Sequence, residues 1–271
     1  MAVEASVTGR RFTIAGVVDR MVAVFAGQGW LMLGLAVLFG GLPRAGYEAA
    51  TMSAFGRGGV NGIGAAGADG GAPFAVFSTP SFWIALAVFW LAGLLASGSM
   101  TTVAIAAIER RPVSFGGSVG VAIRKALPLV LMSIVSGLAI FVGILLFIIP
   151  GIMLMIIWSV AWPAMIVEDE GPIGALERSA YLTNGARWLI LAILVIGALM
   201  GGVISSVDGA SSVALSGGAG VRDMSIVPLI AGMIATTLTI LFSTALTAAM
   251  YTELKAWKEG EGGGELGEIF A

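Results

Sequence analysis

From Leu127 to Val167 the chain runs 41 residues without a single Asp, Glu, Lys or Arg. As one straight helix such a stretch is about 61 Å long at ~1.5 Å per residue, twice the ~30 Å of a bilayer's hydrocarbon. The stretch must therefore fold back on itself. Pro150-Gly151 lies within it, where proline disfavours helix in the residue before it and glycine permits a reversal. The reading is a tight hairpin of two spans, residues 127–149 and 151–167. One span followed by a re-entrant half is the alternative.

The rest of the chain has the same character. It is 58% hydrophobic and 11% charged, with a mean hydropathy of +1.00, against roughly 45–50% and about 25% in soluble domains. Further runs of membrane-spanning length and apolarity cover residues 27–43, 82–108, 188–207 and 227–251. These predict an all-α polytopic bundle of six spans in a single transmembrane domain, 1–258, followed by a C-terminal tail, 259–271. Residues 1–29 carry Glu4, Arg10, Arg11, Asp19 and Arg20, which is not the pattern of a cleaved signal peptide, so the first span is expected to act as the insertion signal.

The six-span arrangement puts Arg10, Arg11, Arg20, Arg110, Arg111, Arg124, Lys125, Arg178, Arg187, Lys255 and Lys258 on one side and Arg44, Arg57 and Arg222 on the other. Basic residues favour the cytoplasmic face, so both termini are expected in the cytoplasm. Trp30, Trp83, Trp188 and Trp257 fall near span ends and fit an interfacial belt.

Each pair of spans is preceded by a short amphipathic segment: residues 12–26, 114–126 and 172–184. Aligning Ile14, Phe115 and Ile173 superposes their apolar spacing, with Val17, Val18, Met21 and Phe25 following in the first, Val119 and Ile123 in the second, and Leu176 and Ala180 in the third. Pro172 suits a first helical position, and Asn184-Gly185 suits a left-handed cap. Helices of this kind lie in the headgroup plane or pack beneath the bundle as linkers. The expectation is three units of amphipathic helix plus transmembrane hairpin, with a Gly-rich loop, 44–80, inserted in the first hairpin. A second loop, 208–225, is small and polar.

Composition removes several chemistries. The chain has no Cys and no His, so disulfides, Cys/His zinc sites and His general-base catalysis are absent. A net charge of −2 does not suit a nucleic-acid binder. Gly62-Ile63-Gly64-Ala65-Ala66-Gly67 matches GxGxxG but has no strand before it and no βαβ unit around it, so no dinucleotide site is read there. No ionisable residue lies in the core of a predicted span, which argues against ion-coupled transport. No cofactor and no metal are expected.

Thr236, Thr239, Ser243 and Thr247 form a hydroxyl row on one face of the sixth span. It lines a polar crevice or simply bonds backbone carbonyls and neighbouring helices. Gly197, Gly201 and Ser205 form a small-residue groove for close helix packing, within the chain or between copies. Glu168-Asp169-Glu170, with Glu177, Arg178 and Arg187, reads as capping and ion pairing at the start of the third amphipathic helix rather than as catalysis. Leu266, Ile269 and Phe270 end the tail, docked or free.

The run from Ile149 to Trp188 resembles the YciC-type bacterial membrane proteins and the membrane domain attached to some glycerophosphodiester phosphodiesterases. The segments FTIAGVVDRMVAVF from Phe12 and YTELKAWKEG from Tyr251 resemble that family's termini, so the likeness spans the chain except for the long first loop. The shared features are Pro150-Gly151, Trp158, Pro163, Glu168, Ala175-Leu176, Arg178-Ser179, Leu182-Thr183, Gly185 and Trp188. The resemblance implies a bacterial inner-membrane protein of about six helices. It does not carry over the phosphodiesterase chemistry, which resides in a separate soluble barrel. The expected function is a non-enzymatic membrane scaffold whose partners are membrane lipids and other membrane proteins, in an undetermined oligomeric state. A transporter or channel for a small or amphiphilic solute is the alternative.

Overall fold

A computed structural model describes residues 12–55, 80–216 and 226–260, with side chains for 12–48, 80–206 and 229–260. Among the described residues all regular structure is helical: α1 (Ile14–Ala36), a π-helical turn (Val37–Gly41), α2 (Leu42–Phe55), α3 (Pro80–Ile108), α4 (Phe115–Arg124), α5 (Ala126–Leu146), α6 (Ile148–Ile157), α7 (Ala161–Val167), α8 (Pro172–Thr183), α9 (Arg187–Ser216) and α10 (Ile226–Glu259). Six stretches among the described residues are long and apolar enough to cross a membrane: Ile14–Glu48, Pro80–Ile108, Ala126–Leu146, Ile148–Val167, Arg187–Ser206 and Leu229–Glu259. The chain is a multi-pass helical membrane protein.

The three-unit pattern is present and has a common physical basis. Thr13 and Ser114 cap α1 and α4, each hydroxyl accepting from the N–H of a glycine three residues on, Gly16 and Gly117, at 3.1 Å. The third unit starts with Gly171-Pro172 instead, with no side-chain cap. Each amphipathic helix then ends in a break before its span. α1 bends at Gln28, whose φ of −138° and ψ of 30° leave the helical region. Lys125, at φ −91° and ψ 1°, separates α4 from α5. Asn184–Ala186 separate α8 from α9, with Gly185 at φ +91° in the left-handed region.

The hairpin in 127–167 exists, but its turn is not where the sequence suggested. The extended residue is Phe147, at φ −156° and ψ 133°, and Pro150 and Gly151 lie inside the returning helix. Pro150 is the third residue of α6 and Pro163 the third of α7, first-turn positions where the missing N–H would have had no helical acceptor. Gly151 serves close packing: a Cβ there would lie 2.3 Å from Ile144 Cγ1 and 2.7 Å from Ile144 N. The returning arm breaks again at Trp158–Val160.

Two other boundaries move. The first span does not stop at residue 43; helix continues to Phe55, so the segment read as a loop over 44–80 begins as helix. Pro43 has no N–H to give to Phe39, and the preceding π turn accommodates this, with Leu42 N–H bonding Val37 O. Gly40 and Gly41 of that turn press on α10, where a Cβ would meet Ile240 and Thr237 at 2.7 and 2.8 Å. The 208–225 loop likewise begins as helix, to Ser216. The GxGxxG stretch and Leu266, Ile269 and Phe270 lie outside the described residues.

The main core joins α1, α3, α9 and α10 around Met32, Leu35, Met100, Ile190, Met250, Tyr251 and Leu254. A smaller core of Leu129, Met132, Ala161, Met165 and Leu176 holds the α5–α7 hairpin on α8. The amphipathic helices gather at one end of the bundle, the charged end, with most of the charged side chains; the Arg44–Glu48 pair lies at the far end of the first span.

Candidate functional site

The charged end is organised around the last turns of α10, which present polar groups on two faces. Tyr251, Lys255 and Glu259 repeat every four residues and share one face; Glu253 points away from it. The first face meets Glu168 and Arg178. The Tyr251 hydroxyl, 1% exposed as a residue, donates to Glu168 Oε1 at 2.6 Å. Arg178 donates from Nε to Glu168 Oε2 at 2.5 Å and from Nη2 to Oε1 at 3.0 Å, a two-point clamp. Lys255 Nζ stands 3.3 Å from Glu168 Oε1, and Arg178 also pairs with Glu259. One carboxylate at the end of α7 thereby ties α8 to α10.

The electrostatics follow from those contacts. Burial pushes the Glu168 carboxyl up, but hydrogen bonds from Arg178 and Tyr251 and the charges of Lys255 and Arg178 outweigh it and hold the group below the usual carboxylate range. Burial favours the neutral form of Arg178 as well, and its bonds to Glu168 and Glu259 overcome this, raising it above its ordinary value. Asp169, one residue on and in the left-handed region at φ 56°, pairs with Lys125 and is lowered by that bond. Lys125 also donates to Met165 O at 3.1 Å. The acids after α7 are thus ion-pair anchors. The capping role expected of them is not seen, since Gly171 occupies the cap of α8.

On the other face of α10, Glu253 is 2% exposed and accepts from Arg20 Nε of α1 at 2.7 Å. Gly16 makes this approach possible: a Cβ there would lie 2.3 Å from Glu253 Oε1. Further along α1, Gln28 Nε2 donates to Arg111 O at 3.1 Å and Gly27 lies against Ala107. The first half of α1 therefore crosses the charged end from α10 to the end of α3. Val17 and Val24 face inward, while Ile14, Val18, Val22 and Phe25 remain exposed.

The other two amphipathic helices also bury one side and leave apolar side chains exposed on the other. α4 buries Ser118 and Ala122, the latter against Gly98 of α3, and leaves Phe115 and Ile123 exposed. α8 buries Ala175, Leu176, Ser179, Leu182 and Thr183 and leaves Ile173 and Tyr181 exposed. Ser179 and Thr183 donate to Ile157 O at 2.7 and 3.3 Å, satisfying a carbonyl freed by the break after α6, as a break at membrane depth requires.

No protein-family model, curated protein or solved structure matches this chain. Its functional reading therefore rests on its own residues.

Among the residues singled out in the sequence, Glu168 and Arg178 come together. Gly185 lies against Trp257, where a Cβ would be 3.2 Å from Cη2. Trp188 and Trp30 are 86% and 87% exposed, as side chains at a headgroup boundary would be. The hydroxyl row does not join the site. Ser243 and Thr247 donate to carbonyls of their own helix, Ile240 O and Ser243 O, at 3.2 and 3.0 Å, and the buried hydroxyls of α10 are Thr237, Thr244 and Thr252. In the small-residue groove only Gly197 meets α10, with Leu246 Cδ2 2.9 Å from where a Cβ would sit; a Cβ on Gly201 would meet nothing within 4 Å, and Ser205 is exposed. The sequence reading missed Tyr251, Glu253, Lys255 and Glu259. The signal for Tyr251, Lys255 and Glu259 was the polar i, i+4, i+8 stripe ending an otherwise apolar helix; Glu253 stands off that stripe. Among the described residues no three acidic side chains group in a way that would hold a metal ion.

Proposed function

We propose that this chain is a non-enzymatic protein of the bacterial cytoplasmic membrane, YciC-like in kind, that organises lipid in the cytoplasmic leaflet. The charged end is the cytoplasmic end, which the eleven-to-three distribution of Lys and Arg supports. The observation that carries the reading is the division of α1. One side is clamped to the bundle through Arg20 and Glu253, and the other offers Ile14, Val18, Val22 and Phe25 outward. A helix held at the charged end with an apolar face turned out suits insertion to ~5–10 Å at the headgroup–acyl boundary. The bonding of Ser243 and Thr247 to their own carbonyls supports this reading over a solute passage along the sixth span.

The native chain has no cysteine, so single nitroxide labels test the placement directly. In vesicles of phosphatidylethanolamine and phosphatidylglycerol, a label at Val22→Cys should be reached by oxygen and shielded from a water-soluble nickel complex, and a label at Asp19→Cys should show the reverse. Spin-labelled phosphatidylglycerol should show a motionally restricted fraction that shrinks in the Val18→Asp/Val22→Asp double variant. Equal nickel access at both label sites, with an unchanged restricted fraction, refutes the reading.

A further inference from the structure

Two cavities flank the start of α1. The first, about 620 Å³, is bounded by Phe12, Gly185, Ala186, Trp188, Leu189 and Trp257. The second, about 290 Å³, is a wholly apolar groove between the outward face of α1 (Ile14 to Phe25), α9 (Ile193 to Met200) and Phe242 and Leu246 of α10. They follow one another along the same helices: Phe12 borders one and Ile14 the other, and Leu189 and Ile193, one turn apart on α9, do the same.

The cations of the charged end differ in whether a carboxylate neutralises them. Arg20, Lys125, Arg178 and Lys255 each have a carboxylate partner. Among the described residues Lys258 has none; its ammonium rests over the rings of Trp257 and Tyr181, 4.7 and 5.5 Å from their centroids. Arg187, in sequence between the cavity-lining Ala186 and Trp188, likewise lacks an ion pair among the described residues, and its Nε is buried without an acceptor. Two cations without an ion pair among the described residues thus adjoin walls of the first cavity, Lys258 over the ring of Trp257 and Arg187 between Ala186 and Trp188 in sequence. The second lies next along α9, toward the middle of that span, and offers only hydrocarbon contacts.

We propose that the two cavities together hold one anionic membrane phospholipid, its phosphate beside Lys258 and Arg187 between Trp188 and Trp257, and one acyl chain in the groove beneath α1. A charged head and a long apolar tail are what this sequence of walls complements, and the tail's solvent, the bilayer, adjoins the groove. A peptide would bring backbone polar groups into an apolar groove with nothing to bond them. The proposal rests on the placement of α1 argued above and assigns its lipid a site.

The test is native mass spectrometry of the full-length protein, delipidated in mild detergent and titrated with phosphatidylglycerol or with phosphatidylcholine of the same chains. One phosphatidylglycerol should be retained at collision energies that strip the rest, and more firmly than phosphatidylcholine. Lys258→Ala should weaken that binding about fivefold, the contribution of one cation near an anionic headgroup, with little change for phosphatidylcholine, and Lys258→Arg should restore it. Ile196→Trp, which fills the groove, should weaken both lipids, whereas Leu138→Trp on the remote face of α5 should weaken neither. Melting temperatures of the lipid-free variants keep misfolding apart from lost binding. If Lys258→Ala and Ile196→Trp bind phosphatidylglycerol like the native chain, the site is wrong even where the spin-label result upholds the interfacial helix. A lipid-free dimer that Ile196→Trp dissociates overturns the proposal in favour of a contact between copies.

Discussion

Glu168 is the residue on which the charged end turns, because a single carboxylate receives bonds from two helices. Tyr251, Arg178 and Lys255 all converge on it. Leaving Arg178 and Tyr251 without their acceptor should destabilise the protein by about 1.5–3 kcal/mol, the range for hydrogen bonds to charged groups, so Glu168→Ala is expected to lower the melting temperature in detergent clearly. Tyr251→Phe should cost less, about 1–2 kcal/mol, because Arg178 and Lys255 still neutralise the carboxylate. The pH dependence has a definite sign. Glu168 binds its proton less tightly folded than unfolded, so the clasp is fully present above the ordinary glutamate value of 4.5 and is lost as the pH falls below it. Melting curves of the native chain should fall steeply in that acidic window, and those of Glu168→Gln should be flatter there. Parallel curves would remove Glu168 from this role. Half of the clasp was legible in the sequence, where Glu168 and Arg178 stand ten residues apart across the turn between α7 and α8. The other half lies some eighty residues further on, and pairing at that distance depends on how the helices pack.

At the scale of elements, small residues decide how closely helices approach. Gly151 brings α6 against the Ile144 backbone of α5, so Gly151→Leu should force the hairpin arms apart at an overpacking cost of about 1–3 kcal/mol. An unchanged melting temperature would show that the arms accommodate the side chain. Gly16 does the same for α1 and Glu253. Gly16→Val should displace the carboxylate from Arg20 and loosen the first half of α1. The measurement is the mobility of a spin label at Ala23→Cys, expected to rise in the valine background and to stay low without it. The bend at Gln28 gives this helix its own pivot. Periodicity located all three amphipathic helices to within two or three residues. It did not say which positions of each stripe would be buried (Val17 and Val24 of α1, Ala122 of α4, Leu176 of α8) and which left exposed (Val18 and Val22, Phe115 and Ile123, Ile173), because an apolar stripe looks the same against protein as against lipid.

For the whole molecule, the six-span fold makes a topological prediction. Cysteines introduced at Glu109, Glu170 and Gly260 should be labelled by an impermeant maleimide from one side of the membrane, and one at Phe147 from the other. Labelling of Phe147→Cys from the same side as the rest would mean that the 127–167 hairpin only re-enters. α5 alone, 21 residues and thus about 31 Å, is long enough to cross. The last turns of α10 hold this architecture together at the charged end, gripping α1 through Glu253 and α7–α8 through Glu168. Hydropathy and length by themselves determined that the chain is a helical membrane protein of six spans, since backbone left unpaired in hydrocarbon is too costly for any other local structure, and apolar periodicity divided the spans into three units. Tertiary structure alone decided where the hairpin turns, which amphipathic face stays outward, and which cations are left without a partner. Those outcomes depend on contacts between residues far apart in the chain, where a glycine's missing Cβ or one buried carboxylate outweighs any local preference.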